Sequence, residues 1–477
     1  MTTKTTSNAS TDPKFASGSI FKHIVVMTGT ASVGLVSIFL VDFANLFYIS
    51  MLGQSELAAA IGYASTLLFF TISISIGVMI AAIALVSKAI GKGERERARE
   101  LSGSSLIFVL LITIIMATVA FPFITPIVEL IGAKGETAEI TVKFLQVVIP
   151  SMPLMGIGMC TSGLLRSVGD AKRAMYVTLG SGIIAAILDP LFIFTFDLGI
   201  QGAAYVMVIA RLGTVLIGLY CVIKVHDLIT IPSPKVFISD VNELKDVAVP
   251  AVLTNIATPV GNAYVTSSIA PYGDEAVAGW AIIGRLIPVA FGFIFALSGA
   301  IGPIIGQNYG AGIYDRVRET VKKSLIVTAV YTGAVWLLVF LLRDVIIEQF
   351  NATGETASLV AFFINLVIAT FLFNSMMFVA NAAFNNLGFA TYSTMLNWAK
   401  ATIGTVPFVW VGASVAGAHG VVAGWGLGAV AFGILAIVSC LRVVNKLDGD
   451  PPKGDLPPPL WRAALSAFSS GKGANIQ

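Results

Sequence analysis

The chain has 477 residues, of which 56% are hydrophobic and only 12% charged, and its mean hydropathy is +0.88. A water-soluble domain carries about 25% charged residues because its surface must face water, so the composition excludes a soluble globular protein and makes lipid the solvent. The net charge of +3, with no dense block of Lys and Arg, excludes a nucleic-acid partner.

Residues 1–20 are polar and rich in Ser and Thr, with no apolar core. They read as a disordered tail rather than a cleavable signal peptide, and the first apolar helix serves as the insertion signal. A spanning helix needs about 20 mostly apolar residues. On that rule crossings are predicted near 24–51, 57–88, 103–125, 139–164, 171–194, 200–223, 247–271, 276–306, 322–342, 357–384, 391–412 and 418–441. The fold class expected is an all-α integral membrane protein, with twelve transmembrane helices in two parallel-repeat six-helix lobes. The N-lobe occupies 21–224 and the C-lobe 247–445. A cytoplasmic linker at 225–246 joins them, and 446–477 is a Pro-rich tail. In the linker, Asp240 and Glu243 have the spacing of a capping box. Pro150, Pro153, Pro190, Pro250, Pro259, Pro288, Pro303 and Pro407 fall in or beside the spans and predict kinks.

Basic residues alternate between the connections. Those at 52–56, 195–199 and 272–275 hold no Lys or Arg. The opposite set holds Lys88, Lys92, Arg95, Arg97, Arg99, Arg166, Lys172, Arg173, Arg316, Arg318, Lys322 and Lys323, among others. This asymmetry places both termini in the cytoplasm, and localisation in the plasma (inner) membrane is expected.

The chain also repeats itself. Gly-Glu-Thr-Ala at 135–138 recurs at 354–357, the stretch at 91–100 matches that at 310–319, and Gly169 matches Gly388. All share one offset of 219 residues. Six crossings per half is an even number, so both halves insert in the same sense, about an axis along the membrane normal. Two such lobes suit alternating access through the cleft between them.

Charges inside spans cost at least about 2.5–3.5 kcal/mol each near the centre and call for a reason. Five stand out: Asp42, Asp189, Arg211, Arg285 and Lys400. Asp42 and Asp189 lie on helices that both run outward. They come 19 residues past His23 and 18 past Ala171, which predicts similar depth in the outer half of the N-lobe. Two acids there can share a proton or a small cation and release it reversibly. Arg211 reads as a structural ion pair. Arg285 and Lys400 read as snorkelling or lobe-interface residues. Asn45, Arg211 and Asn262 are candidate supporting polar groups, Asn262 standing at the C-lobe position that corresponds to Asp42. Cys160, Cys221 and Cys440 read as small apolar side chains. The three histidines and the acids form no metal-ligand spacing, and Gly91-Lys-Gly93 lacks a phosphate-loop pattern. No metal, cofactor or enzymatic activity is therefore expected.

Gly306-Gln-Asn-Tyr-Gly-Ala-Gly-Ile-Tyr-Asp-Arg-Val317 resembles the signature after the eighth helix of the multidrug and toxic compound extrusion (MATE) transporters. Gly-Arg-Leu at 284–286, Leu-Leu-Arg-Ser-Val-Gly-Asp at 164–170, Leu-Asp-Pro at 188–190 and Gly-Ile-Gln-Gly-Ala-Ala at 199–204 support it, in order, over about residues 20–445. The resemblance implies two six-helix lobes around a V-shaped cleft and cation-coupled efflux of amphipathic compounds. It implies that Asp42 and Asp189 are the coupling acids of the DinF-like branch. The second-lobe acids of the NorM-like branch are replaced by Thr258 and Met376. Ala185 and Met207 stand where relatives often place Asn and Thr, which removes oxygen ligands for sodium and favours a proton, and Met27 stands where a Pro is common, which removes a Pro-dependent bend of the first helix.

The function expected is thus a cation-coupled antiporter, with a proton preferred to sodium, exporting amphipathic or cationic small molecules and acting as a monomer in membrane lipid. A lipid-linked oligosaccharide flippase of the same superfamily is the nearest rival. A membrane-embedded enzyme or receptor is the reading from another class.

Overall fold

The structure, a computed structural model, describes residues 13–50 and 55–447, without the side chains of residues 42, 43, 45–47, 49, 50, 55, 56 and 58. The Pro-rich tail expected at 446–477 falls almost wholly outside the described residues. Those described are helical apart from short connections, in this order: α1 Ile20–Ser50, α2 Ser55–Gly91, α3 Arg95–Ala120, α4 Ile124–Leu130, α5 Gly135–Val148, α6 Met152–Ser167, α7 Ala171–Pro190 and α8 Gly199–Leu219. The second half holds α9 Pro234–Ile269, α10 Asp274–Gly310, α11 Tyr314–Leu341, α12 Arg343–Gln349, α13 Gly354–Asn365, α14 Phe371–Leu387, α15 Ala390–Ala401 and α16 Val406–Asn445.

Among the described residues ten helical segments are long and apolar enough to cross a membrane. The last, Ala390–Asn445, folds back on itself at Ala416 and Gly417 and so makes two crossings. With α9, whose apolar part is diluted by Asn, Thr and Pro, the described chain makes the twelve crossings expected. The hairpin closes tightly because glycine faces backbone across it. A Cβ on Gly428 would overlap the carbonyl of Gly404, and one on Gly420 that of Gly412. Small residues let helix backbones approach where lipid offers no hydrophobic drive to association.

The repeat is written in the backbone as well as the sequence. Left-handed residues recur in matched places: Gly93 and Gly312, Gly132 and Asn351, Gly135 and Gly354, Gly169 and Gly388. Each lobe also breaks its fourth crossing at the same point, at Ile149–Ser151 and at Val367–Thr370. In the first lobe Pro150 and Pro153 explain the break. The second lobe has Ala369 and Leu372 there, with no proline.

The two-fold axis passes between α2 and α10. Equivalent residues face each other across it: a Cβ on Gly306 would lie 2.7 Å from Cβ of Ser87, and one on Gly302 would lie 3.5 Å from Ile83 Cγ2. On either side the contacts are reciprocal. Gly91 abuts the backbone of Gln307, and Gly310 abuts that of Lys88. These contacts lie at the end of the bundle that carries the basic residues. Midway along, Gly292 on α10 packs near Phe39 and Leu35 of α1, and Gly77 on α2 packs on Ala248 and Val252 of α9. The outer half of the N-lobe has a core of its own, built from residues such as Leu57, Leu145, Met152 and Ile200. The core at the basic end joins Val86, Leu101 and Leu164 to Leu244, Val247 and Ala390 from the other lobe. The lobes are therefore joined at the basic end and separately packed at the opposite end.

Three sequence expectations change. Pro13–Ser19, assigned to a disordered tail, is folded, and Phe15 is 1% exposed. The second part of the linker is helix, continuous with the seventh crossing, because Ser233 caps it and Pro234 suits its first turn. Asp240 and Glu243 are consequently not a capping box. They lie well inside α9 and both pair with Arg97, with Asp240 fully buried and also accepting from Ser104 Oγ.

Candidate functional site

Asp189 occupies the last turn of α7, just before Pro190 and a π-helical turn at Leu191–Thr195. Its side chain is 1% exposed, and neither carboxylate oxygen has a hydrogen-bond partner among the described residues. An ionised carboxylate buried without a counter-charge is strongly unfavourable. A carboxyl so placed is stable when it is neutral or accompanied by a positive charge.

The side chains of Asp42 and Asn45 lie outside the described residues, but the register of α1 against α7 is fixed. A Cβ on Gly182 would meet Ser37 Cβ at 3.6 Å and Val41 Cγ2 at 3.5 Å, and Tyr48 stacks edge-on against Phe194 at 5.9 Å. Carrying that register outward sets residue 45 level with residue 189 and residue 42 about 4.5 Å lower, three residues at 1.5 Å each. Ala185, one turn below Asp189, is buried, and Met207 packs against the outer N-lobe core. Neither residue brings an oxygen to this place.

Arg211 corrects the expectation of an ion pair. Its Nη1 donates to Ser151 Oγ at 2.6 Å and to the Val148 carbonyl at 3.2 Å. The cause is the break in the fourth crossing. There the Met152 N–H turns to Ile149, which leaves the Val148 carbonyl open to a side chain. Arg211 thus holds α8 to that break, with no carboxylate partner among the described residues. Arg285 is exposed on α10, as a snorkelling or interface residue would be.

Lys400 does not snorkel. It lies two residues before the helix breaks at 402–405, where Thr405 Oγ1 donates to its carbonyl at 2.8 Å. Its ammonium donates to Asn374 Oδ1 at 2.6 Å. It faces a cavity of about 100 Å³ inside the C-lobe, also lined by Asn262, Asn381, Asn397, Phe378 and Trp425. Among the described residues no Asp or Glu lines this cavity. Asn262 therefore belongs with Lys400 in the second lobe, and Asp189 stands apart in the first. Sequence reasoning named Asn262 and Lys400 singly but missed their shared cavity. Asn374 and Asn381 carried the available signal, being two helical turns apart on one face of an apolar helix.

The signature at 306–317 proves to be joining machinery at the basic end. Gln307 Nε2 donates to the Ser167 carbonyl at 2.7 Å, and its Oε1 accepts the Phe15 N–H at 3.0 Å. The Phe15 carbonyl accepts from Asn308 Nδ2 at 3.1 Å and Arg316 Nη2 at 2.7 Å. Lys14 Nζ reaches the Gly169 carbonyl at 2.7 Å. The N-terminal strap thus ties both lobes together. Beside it, Asp170 caps α7 and accepts from Arg173 at 2.6 Å and His226 at 2.8 Å, which holds its carboxyl well below the usual carboxylate range despite burial.

The MatE family model matches residues 31–191 and again 250–411, once per lobe. The multidrug export protein MepA of Staphylococcus aureus (strain N315) is 23% identical over 437 residues, covering 90% of this chain and 94% of that one. A FAD transporter of Shewanella oneidensis is 26% identical over 395 residues, covering 81% and 87%. A MOP superfamily transporter from Pyrococcus furiosus, whose binding pocket is described as of reverse polarity, superposes with a TM-score of 0.87 at 19% identity, covering 93% of this chain and all of that one. The outward-facing conformation of a multidrug resistance MATE family transporter superposes equally well, with a TM-score of 0.87, 20% identity and coverage of 93% and 100%. The structural likenesses establish the fold.

Proposed function

The chain belongs to the MatE family of multi-pass membrane transporters, and we propose that it is a cation-coupled antiporter of the DinF-like branch that exports amphipathic small molecules. The observation that carries this reading is the buried Asp189 carboxylate, which has no hydrogen-bond partner among the described residues. A carboxylate so placed is stable when a cation accompanies it and becomes a source of work when that cation is released. Asp42, one turn lower on the neighbouring helix, is the partner acid in this scheme. A proton is preferred to sodium, because Ala185 and Met207 bring no oxygen to coordinate a metal ion.

In this scheme both termini and the basic end are cytoplasmic, and the protein works as a monomer in the plasma membrane. The lobes, joined at the basic end, represent the outward-facing state. The cation enters from outside, reaches Asp189 and Asp42, and alters the packing of α1 against α7. Substrate leaves outward, and the lobes then rock to expose the cleft to the cytoplasm.

The test is transport of a fluorescent amphipathic dye by the full chain in liposomes, under an imposed proton gradient and separately a sodium gradient. Wild type moves dye with the proton gradient, and Asp189→Asn loses that component while keeping its thermal stability. Undiminished proton-driven transport by Asp189→Asn overturns the mechanism, and transport driven by sodium alone replaces the proton with sodium.

A further inference from the structure

We propose that the C-lobe cavity is an anion-binding subsite in which Lys400 receives the carboxylate or phosphate group of an amphipathic aromatic substrate. The proposal rests on the exporter reading and narrows its substrate class.

The argument is one of donors and acceptors. An ammonium group has three N–H donors and no acceptor. One donor of Lys400 is taken by Asn374 Oδ1 at 2.6 Å, and no carboxylate pairs with the side chain among the described residues. Two of the neighbouring amide oxygens are already engaged. Asn374 Oδ1 accepts from Lys400, and Asn381 Oδ1 accepts from Asn397 Nδ2 at 3.1 Å. What Asn374 and Asn381 still offer is their N–H groups, for which the described residues provide no acceptor. Asn262 and Asn397 add neutral amide groups to the lining, so the cavity is left with unspent donors and a positive charge that no described acid balances. A cation would be repelled there, and a neutral acceptor would leave the charge uncompensated. An anion satisfies both the donors and the charge.

The walls select what carries that anion. Phe378 meets Phe295 edge-on at 5.2 Å, and Trp425 meets Trp280 edge-on at 5.3 Å. Phe295, Phe378 and Trp425 all line the cavity, with Ile287 and Met377 between them. Such walls suit a flat apolar ring, and about 100 Å³ holds the charged group with part of that ring. The lobes then divide the work: the acid of the N-lobe handles the cation, and the base of the C-lobe handles the substrate.

The test is equilibrium binding to the purified full chain in phosphatidylcholine nanodiscs, by calorimetry, of 1-naphthylacetate and its neutral isostere 1-naphthylacetamide. Wild type is expected to bind the carboxylate at least about tenfold more tightly, the scale of a hydrogen bond to a charged group. Lys400→Met should bring the two ligands to within about twofold, and Lys400→Arg should keep the preference. Asn374→Asp retains the lysine but sets a carboxylate against it, and should abolish the preference too. This variant decides the matter if Lys400→Met does not fold. Equal binding of both ligands by wild type, or a preference that survives Lys400→Met or Asn374→Asp, overturns the proposal. Repeating the titration with phosphatidylglycerol in the nanodiscs separates the sources of anion. Retained binding is expected, and displacement overturns a soluble substrate in favour of a lipid phosphate. No gradient is present, so failure of the Asp189 coupling scheme leaves this readout unaffected.

Discussion

Gly91→Ala is the sharpest probe of how the lobes are joined. Gly91 ends α2 against the backbone of Gln307, and an added methyl group would overlap that backbone carbonyl rather than a movable side chain. Relief requires α2 and α10 to part by about 1 Å, which forfeits much of the local dispersion energy. Overpacking of this kind costs about 1–3 kcal/mol. The cost falls on the state with the basic end joined and vanishes when the lobes separate there. The gain in helix propensity from Gly to Ala is common to both states and cancels. A differential of that size shifts the population about 5- to 150-fold towards the state open at the basic end. Gly310→Ala makes the symmetry-related overlap with Lys88 and should act alike. Gly333→Ala, with open space around the added atom, is the control. The reporter is a single cysteine at Ser167, fully buried at the joint, in a background with Cys160, Cys221 and Cys440 replaced by Ala. Its reaction with a membrane-impermeant maleimide from the basic side should quicken at least about fivefold in both glycine variants and not in the control. Unchanged labelling of a variant that melts like its parent would refute the reasoning.

Two further outcomes follow from the geometry. Gly428→Ala forces a methyl group onto the Gly404 carbonyl within the last hairpin, so it should destabilise the protein by about 1–3 kcal/mol in thermal melts in detergent, where Gly333→Ala changes little. Asp170→Ala removes the cap of α7 and the partner of Arg173 and His226, at a cost of about 1 kcal/mol near neutral pH. Because folding depresses the Asp170 pKa, its contribution is complete above the unfolded carboxylate value of about 3.9. It is lost as pH falls through the folded value. The gap between wild type and Asp170→Ala should therefore hold from pH 8 to about 5 and narrow only in stronger acid. A gap that closed near pH 6 would contradict this.

Much of the fold was legible in the sequence. Apolar runs of spanning length, the alternation of basic connections and the 219-residue repeat define a two-lobe bundle, because lipid allows few other ways to satisfy a backbone. Asp189 was legible as well, since an acid in an apolar helix stands out by cost alone. Less legible were features that depend on partners far along the chain. Asp240 and Glu243 have the spacing of a cap, yet the competing cap at Ser233 and the distant Arg97 decide their role. Phe15 lies in a polar stretch with no helical pattern, and its burial comes from hydrogen-bond partners roughly 290–300 residues away.

Sequence alone determined that the chain crosses a membrane about twelve times in two like-oriented halves and carries an acid where charge is expensive. Tertiary structure decided which end of the lobes is joined, what Arg211 holds, and that Lys400 faces a cavity rather than lipid. The physical reason is range. Hydropathy and repeat are properties of consecutive residues, whereas a cavity is the space left by helices whose breaks, such as that at Val367–Thr370, carry no proline to announce them.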